Sequence, residues 1–168
     1  IVAAHISLAC NMVDEFGDEA QKEEYLTPMA EGRDIGAFAL SEAGAGSDVP
    51  AMETVAQKEG DEYVINGSKL WISNGSVADT VTLFAKTDPD AGGQGISSFI
   101  VRPEEDDGFV VEGTEHKLGD KGCPTAELRF SDLRIPESRL IGKEGDGLVQ
   151  GLKTLNGGRI TIAARGVG

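Results

Sequence analysis

Residues 52–73 read Met-Glu-Thr-Val-Ala-Gln-Lys-Glu-Gly-Asp-Glu-Tyr-Val-Ile-Asn-Gly-Ser-Lys-Leu-Trp-Ile-Ser, and this stretch decides the fold class. Met52 to Lys58, Tyr63 to Ile65 and Ser68 to Ser73 have strand length, and two glycine pairs separate them. Gly60-Asp61 and Asn66-Gly67 both suit tight hairpins, the second more strongly, because these residues tolerate positive φ. Antiparallel sheet is therefore expected here.

Working outward, Gly36 to Ser41 is an apolar run of strand length. Val81, Leu83 and Ala85 alternate with Thr80, Thr82 and Phe84. Ala126, Leu128 and Phe130 alternate with Glu127, Arg129 and Ser131, giving one wet face and one buried face. Ile96 to Val101 and Phe109 to Glu112 complete seven or eight short strands without intervening helices. That pattern predicts an antiparallel sandwich or barrel rather than a Rossmann sheet. Helical spacing occupies both ends. Leu8, Ala9, Met12, Val13 and Phe16 form an opening helix, Asp18 with Gln21 forms a capping arrangement, Thr27-Pro28 marks another start, and Gly32 a stop. From Gly145 onward Leu148, Leu152, Leu155 and Ile162 share a helical face, and Arg159 falls on the same stripe. The expected organisation is an α+β chain: 1–34 the end of a helical domain, 35–143 a β-barrel middle domain, and 144–168 the start of a helical bundle. The abrupt ends, Ile1 and Gly168, read as those of a piece of a longer protein.

Net charge is −14, from 29 acidic and 15 basic residues, which disfavours nucleic acid or an anionic membrane as partner. The acidity is spread along the chain and suits a salt-adapted host. No run approaches the roughly 18 apolar residues of a membrane span. Cys10 and Cys123 are far apart, as expected of two free thiols in a reducing compartment. Gly44-Ala45-Gly46 fails as a dinucleotide fingerprint, since Val49 replaces the third glycine and Pro50 follows. Asp88-Pro89-Asp90 fails as a calcium loop, and His5 and His116 lack zinc spacing, so no metal site is expected.

One polar, glycine-rich stretch remains, Leu40-Ser-Glu-Ala-Gly-Ala-Gly-Ser-Asp48, directly after a strand. Its glycines permit close backbone approach to a ligand and its hydroxyls can donate; a plain surface turn has the same composition. Ala39 to Ala51, however, resembles the acyl-CoA dehydrogenase signature position by position. Phe16-Gly-Asp-Glu-Ala-Gln-Lys22, Asn66-Gly-Ser-Lys-Leu-Trp-Ile-Ser-Asn-Gly75, Lys117-Leu-Gly through Pro136, and Gly157-Gly-Arg-Ile-Thr-Ile-Ala-Ala164 are similar to that family in order and spacing.

The resemblance implies FAD as cofactor, lined by Phe38, Ala39, Leu40, Ser41, Gly46 and Ser47, with the Ser41 hydroxyl on the isoalloxazine. Trp71, Ile72 and Ser73 would form a second flavin contact. A core strand aromatic remains the alternative for Trp71. Ser47, Asn156 and Arg159 would touch the coenzyme A moiety, although an internal ion pair is equally open for Arg159. The implied reaction is concerted α,β-dehydrogenation of an acyl-CoA thioester: a carboxylate takes the α proton and the β hydrogen leaves as hydride to the flavin. No catalytic base is identified in this chain. It is expected beyond Gly168, since the position some relatives use beside Arg159 is Gly158. Electron-transfer flavoprotein is the implied electron acceptor, a homodimer or homotetramer the implied assembly, and a prokaryotic cytoplasm or a mitochondrial matrix the implied setting. Two alternatives stay open. One is an acyl-CoA oxidase or related flavin monooxygenase on the same fold; the other is a non-catalytic β-sandwich binding module.

Overall fold

The computed structural model describes residues 2–167. Helix α1 covers residues 2–16 and α2 residues 19–30; each contains a wider π-helical stretch, His5–Cys10 and Lys22–Leu26. Seven strands follow: β1 (Gly36–Ala39), β2 (Val55–Glu59), β3 (Glu62–Ser73), β4 (Thr80–Lys86), β5 (Ile96–Val101), β6 (Phe109–Thr114) and β7 (Thr125–Pro136). Helix α3 spans Gly147–Val167. The strands form one curled sheet in the order β1-β4-β2-β3-β7-β6, with β5 paired to β4.

The expected β-rich centre between helical ends is present, with one amendment to the antiparallel pattern. β1 runs parallel to β4, and β2 meets β4 in parallel at Val55↔Lys86, whereas the other four pairings are antiparallel. The sheet is thus mixed. It has two buried sides rather than one. Ala37, Ala39, Val81, Leu83, Phe99, Val101, Leu128 and Leu133 point into the curl, while Phe38, Leu40, Phe84, Ile96 and Ile100 point at Met12, Val13 and Met29 of the helices. This explains why β4 and β5 are buried along their length, Thr80, Thr82, Ser97 and Ser98 included, whereas β7, with one wet face, alternates cleanly.

Gly60-Asp61 is the hairpin between β2 and β3, as predicted, with Glu59 paired to Glu62 and Gly60 at φ 64°. Asn66-Gly67 is not a turn. β3 passes straight through it, and the β3–β7 register shifts there. The reason is across the strand. Asn66 Nδ2 donates to Asp132 Oδ1, the Asp132 N–H donates back to Asn66 Oδ1, and Asp132 itself sits at φ 51°. A local turn signal is thereby converted into a bulge. Gly67 adopts φ 149°, and a Cβ there would lie 2.7 Å from Thr54 Cα.

The helices are fixed by polar contacts as well as packing. Asp18 and Gln21 form the expected capping box, and Gln21 Nε2 also donates to the Ser138 and Leu140 carbonyls, both at 2.8 Å. Thr27-Pro28 is not a new start. α2 continues through it, widened before Pro28, with the Thr27 hydroxyl donating to the Lys22 carbonyl. Gly32 ends the helix at φ 73°. His5 accepts from the Gly36 N–H at Nδ1 (2.8 Å) and donates from Nε2 to the Met29 carbonyl (3.1 Å), joining α1 to the start of β1.

The leucine stripe of α3 is displaced from its expected place. The inward face is Gly147, Gln150, Gly151, Thr154 and Gly158, because the helix lies too close to its neighbours for larger residues. An added Cβ at Gly151 would meet the Phe84 ring at 3.2 Å, and one at Gly158 would meet Leu8 Cδ2 at 2.8 Å. Leu148 and Leu155 are half-buried, whereas Leu152 and Ile162 are exposed. Both thiols are free. No helix among the described residues is long and apolar enough to cross a membrane.

One buried ion pair ties the strands to the loop after β1. Lys69 Nζ on β3 donates to Glu42 Oε1 at 2.7 Å and to the Leu40 carbonyl at 3.1 Å. Glu42 also accepts the N–H groups of Glu53 (2.6 Å) and Thr54 (3.1 Å). Burial opposes the charge on Glu42, but the Lys69 charge and these donors outweigh it and hold the carboxyl below its ordinary range.

Two outcomes follow from this packing. Gly67→Ala places a methyl against the Thr54 backbone and should lower the unfolding free energy by about 1–3 kcal/mol in urea titrations. Gly113→Ala, where an added Cβ meets nothing, should change it by less than about 0.5 kcal/mol. The depressed Glu42 carboxyl gives stabilisation that is complete above the ordinary glutamate range and is lost as pH falls through the lower, folded-state value. The urea midpoint of the parent chain should therefore hold above the ordinary glutamate range and fall toward that of Glu42→Gln as the pH is lowered below it.

Candidate functional site

The loop after β1 and the end of β3 face each other across a groove floored by α1 and α3. The Leu70 N–H donates to the Ser41 carbonyl at 2.9 Å, which fixes their spacing. One part of the groove, about 210 Å³, is lined by Phe38, Leu40, Ser41, Gly46, Trp71, Ile72 and Ser73, with Ala4, Leu8, Val49 and Leu155. The adjoining part, about 300 Å³, shares Ala4, Leu8, Ser73 and Leu155 and extends along α3 past Gly158 and Arg159 to Arg165.

Most flavin-lining residues expected from the sequence meet here. Two do not. The Ala39 side chain points into the curl of the sheet, with the inner core, and Ser47 is exposed outside the groove lining. Trp71 is not a core strand aromatic. It is 63% exposed and sits at φ 60°, in the register shift between Lys69 and Ile72. A left-handed conformation costs a bulky residue on the order of 1 kcal/mol or more. Here it turns the indole outward beside Ser41 instead of into the sheet. The Ser41 and Ser73 hydroxyls have no hydrogen-bond partner among the described residues. The groove thus offers a flat aromatic wall, apolar floor and two unused hydroxyl groups. That donor set fits a planar, heteroatom-bearing ring such as a flavin.

Arg159 does not lie in the core. It is exposed, and its guanidinium donates to the Asn156 side-chain oxygen three residues earlier, so the internal ion pair is absent. Its side chain borders the second part of the groove and Asn156 holds it there. The sole carboxylate among the lining residues of either part is Asp120, engaged by Arg165 at 2.8 Å. Among the described residues, no three His, Cys, Asp or Glu side chains come together to hold a metal ion. Cys123 is buried, its thiol donating to Asn74 Oδ1 at 3.8 Å, in keeping with a packing role.

Sequence reading missed Lys69, which lies directly behind the groove wall and is fully buried. Burial pushes its ammonium down to about 8, the Glu42 carboxylate only partly countering this. The available signal was a pair of opposite charges, Glu42 and Lys69, each inside one of the two motif stretches that line the groove.

Comparison with known proteins accords with this geometry. The family description "Acyl-CoA dehydrogenase, middle domain" matches residues 37–133, and "Acyl-CoA dehydrogenase, N-terminal domain" matches residues 1–33. The short-chain specific acyl-CoA dehydrogenase of Clostridium acetobutylicum is 49% identical over 168 residues, covering all of this chain and 44% of that protein. Butyryl-CoA dehydrogenase from Megasphaera elsdenii superposes with TM-score 0.94 at 42% identity, over 97% of this chain and 43% of its own. A chain from structural work on the electron transferring flavoprotein of Acidaminococcus fermentans gives TM-score 0.95 at 45% identity, over 97% and 43%. This chain therefore spans less than half the length of the relatives it matches, and over that span it belongs to the acyl-CoA dehydrogenase family.

Proposed function

We propose that the chain forms the flavin- and thioester-binding part of an FAD-dependent enzyme that oxidises an acyl-CoA across its α and β carbons. The observation that carries this reading is the groove between the Ser41 loop and the out-turned Trp71. FAD, when bound, supplies the hydride-accepting chemistry. The protein's share is alignment and exclusion of water. Ser41 and Ser73 would hold polar edge atoms of the ring, while Trp71, Phe38 and Leu40 shield it. Gly46 leaves room for close backbone approach. Arg159, braced by Asn156, and Ser47 at the loop's outer end would hold the coenzyme A moiety.

The groove lining contains no free carboxylate, Asp120 being paired with Arg165 and Glu42 committed to Lys69 behind the wall. We therefore assign α-proton removal to a carboxylate outside this chain. The helical segments at either end are read as parts of two helical domains flanking the sheet, with boundaries near residues 34 and 143. A soluble electron-transfer flavoprotein is the acceptor proposed, in a homodimeric or homotetrameric enzyme of the cytoplasm that takes part in fatty acid or branched-chain acid oxidation.

The enzyme containing this chain should purify yellow, and its reduced flavin should react slowly with oxygen in stopped-flow measurements. Fast reoxidation would replace the dehydrogenase reading with an oxidase or monooxygenase one, and a colourless protein would sink both. The 168-residue chain alone should bind FAD weakly and leave butyryl-CoA unchanged; measurable dehydrogenation would place the base within it. Trp71→Ala should weaken FAD binding about tenfold, the equivalent of roughly 1.4 kcal/mol, in a flavin fluorescence titration.

A further inference from the structure

Three chain segments converge on the back of the groove, and a single ammonium group joins them. Lys69 Nζ binds the carbonyl of Leu40, the residue before Ser41, and the carboxylate of Glu42, the residue after it. Through Glu42 it also fixes Glu53 and Thr54, where the loop returns to the sheet. Met52 Sδ closes the remaining side at 3.9 Å. On its own strand Lys69 begins the register shift that leaves Trp71 at φ 60°. Ser41 and Trp71 thus lie on opposite banks of the groove, and each is one or two residues from the same ion pair. Neither bank has another buried charge among the described residues.

We propose that Lys69 and Glu42 are positioning residues for the flavin, setting the distance and orientation between the Ser41 hydroxyl and the Trp71 indole. The proposal rests on the flavin reading of the groove. A hydrophobic pair could fill the same volume, but it could not hold the Leu40 carbonyl and two backbone N–H groups at fixed points. The left-handed turn at Trp71 persists only where its surroundings over-determine it. The ion pair next to it supplies that constraint. Lys69 would touch neither substrate nor cofactor and would act through its neighbours.

Trp71 is the single tryptophan of the chain, so its emission anisotropy reports the pose directly and without any turnover. The variant Lys69→Met/Glu42→Gln removes both charges at similar volume. It should lower Trp71 anisotropy and weaken FAD binding, read as quenching of Trp71 emission, by about tenfold or more. Gly108→Ala serves as the control. Its added Cβ would run into the Ser131 carbonyl oxygen, so it destabilises the sheet away from the ion pair and should leave both readings at the parent values. A folded double variant that keeps parent anisotropy and FAD affinity would overturn the proposal, as would a Gly108→Ala chain that loses both to the same degree.

Should the double variant not fold, a conservative variant carries the test. The parent chain's Trp71 anisotropy should exceed that of Glu42→Asp, whose shorter side chain keeps the charge but cannot reach Lys69 and the Glu53 and Thr54 N–H groups together, and equal anisotropy in the two folded chains would overturn the proposal. Absence of FAD quenching in the parent chain, even at the high FAD concentrations that weak binding requires, would count against the flavin reading of the groove. The anisotropy comparison would then still decide whether the ion pair holds Trp71.

Discussion

The buried Lys69–Glu42 pair is the constraint to which the rest of the site is tied. A charged pair inside a protein is a poor way to gain stability, because the cost of stripping water from both ions rivals their attraction. Its value lies in what an apolar pair cannot do. Fully buried, Lys69 spends its donors on Leu40 and Glu42, and Glu42 spends its lone pairs on Lys69, Glu53 and Thr54. Removing either partner would leave the other charge without compensation, typically a loss of about 3–5 kcal/mol. The loop after β1 cannot drift without breaking all of these contacts together. A loop rich in glycine and alanine thereby acquires a fixed shape.

The sheet gives that loop its foundation by being buried on both sides. Alternate residues of β1 serve two cores: Ala37 and Ala39 face the curl of the sheet, Phe38 and Leu40 the helices. The small inward residues join the core inside the curl, and the large outward ones pack against α1 and α2. Helix α3 meets the same surface with Gly147, Gly151 and Gly158, so its backbone rather than its side chains makes the approach. Its polar inward residues are satisfied locally. Gln150 accepts from the Ser98 hydroxyl at 2.6 Å and donates to the Ile141 carbonyl at 3.0 Å. Its apolar residues are left partly on the outer face, where Val149, Ile160 and Ile162 are exposed.

Much of this was legible in the sequence where the deciding interaction is local. The capping box at Asp18 and Gln21, the Gly60-Asp61 hairpin and the alternation of β7 each depend on neighbours a few residues away. The misreadings share a different cause. Asn66-Gly67 has the chemistry of a turn, but its fate is set by Asp132, sixty-six residues on. Arg159 follows the leucine spacing of α3, yet the glycines decide which face turns inward, and close packing against Leu8 and Phe84 is invisible in a periodicity. Parallel pairing of β1 with β4 is likewise a long-range choice. At the site, the loop residues and Trp71 were found through motifs, while Lys69 was passed over as one polar position in a strand.

At Trp71 strand propensity and the local backbone oppose each other. Strand propensity alone places an indole in the core, where it would bury a large apolar area. The structure forgoes that burial: the ring is 63% exposed at a backbone conformation unfavourable for any bulky residue. Both terms act against stability, so the arrangement rests on the register shift after Lys69 and its surroundings rather than on burial of the ring. A groove that presents a ring outward beside two hydroxyls without partners is shaped for something else to complete it. In a flat cofactor the exposed face would find the apolar contact it lacks and the hydroxyls their hydrogen bonds. The free energy withheld from folding would then be recovered on binding, and the ion pair behind the wall would keep the groove open until then.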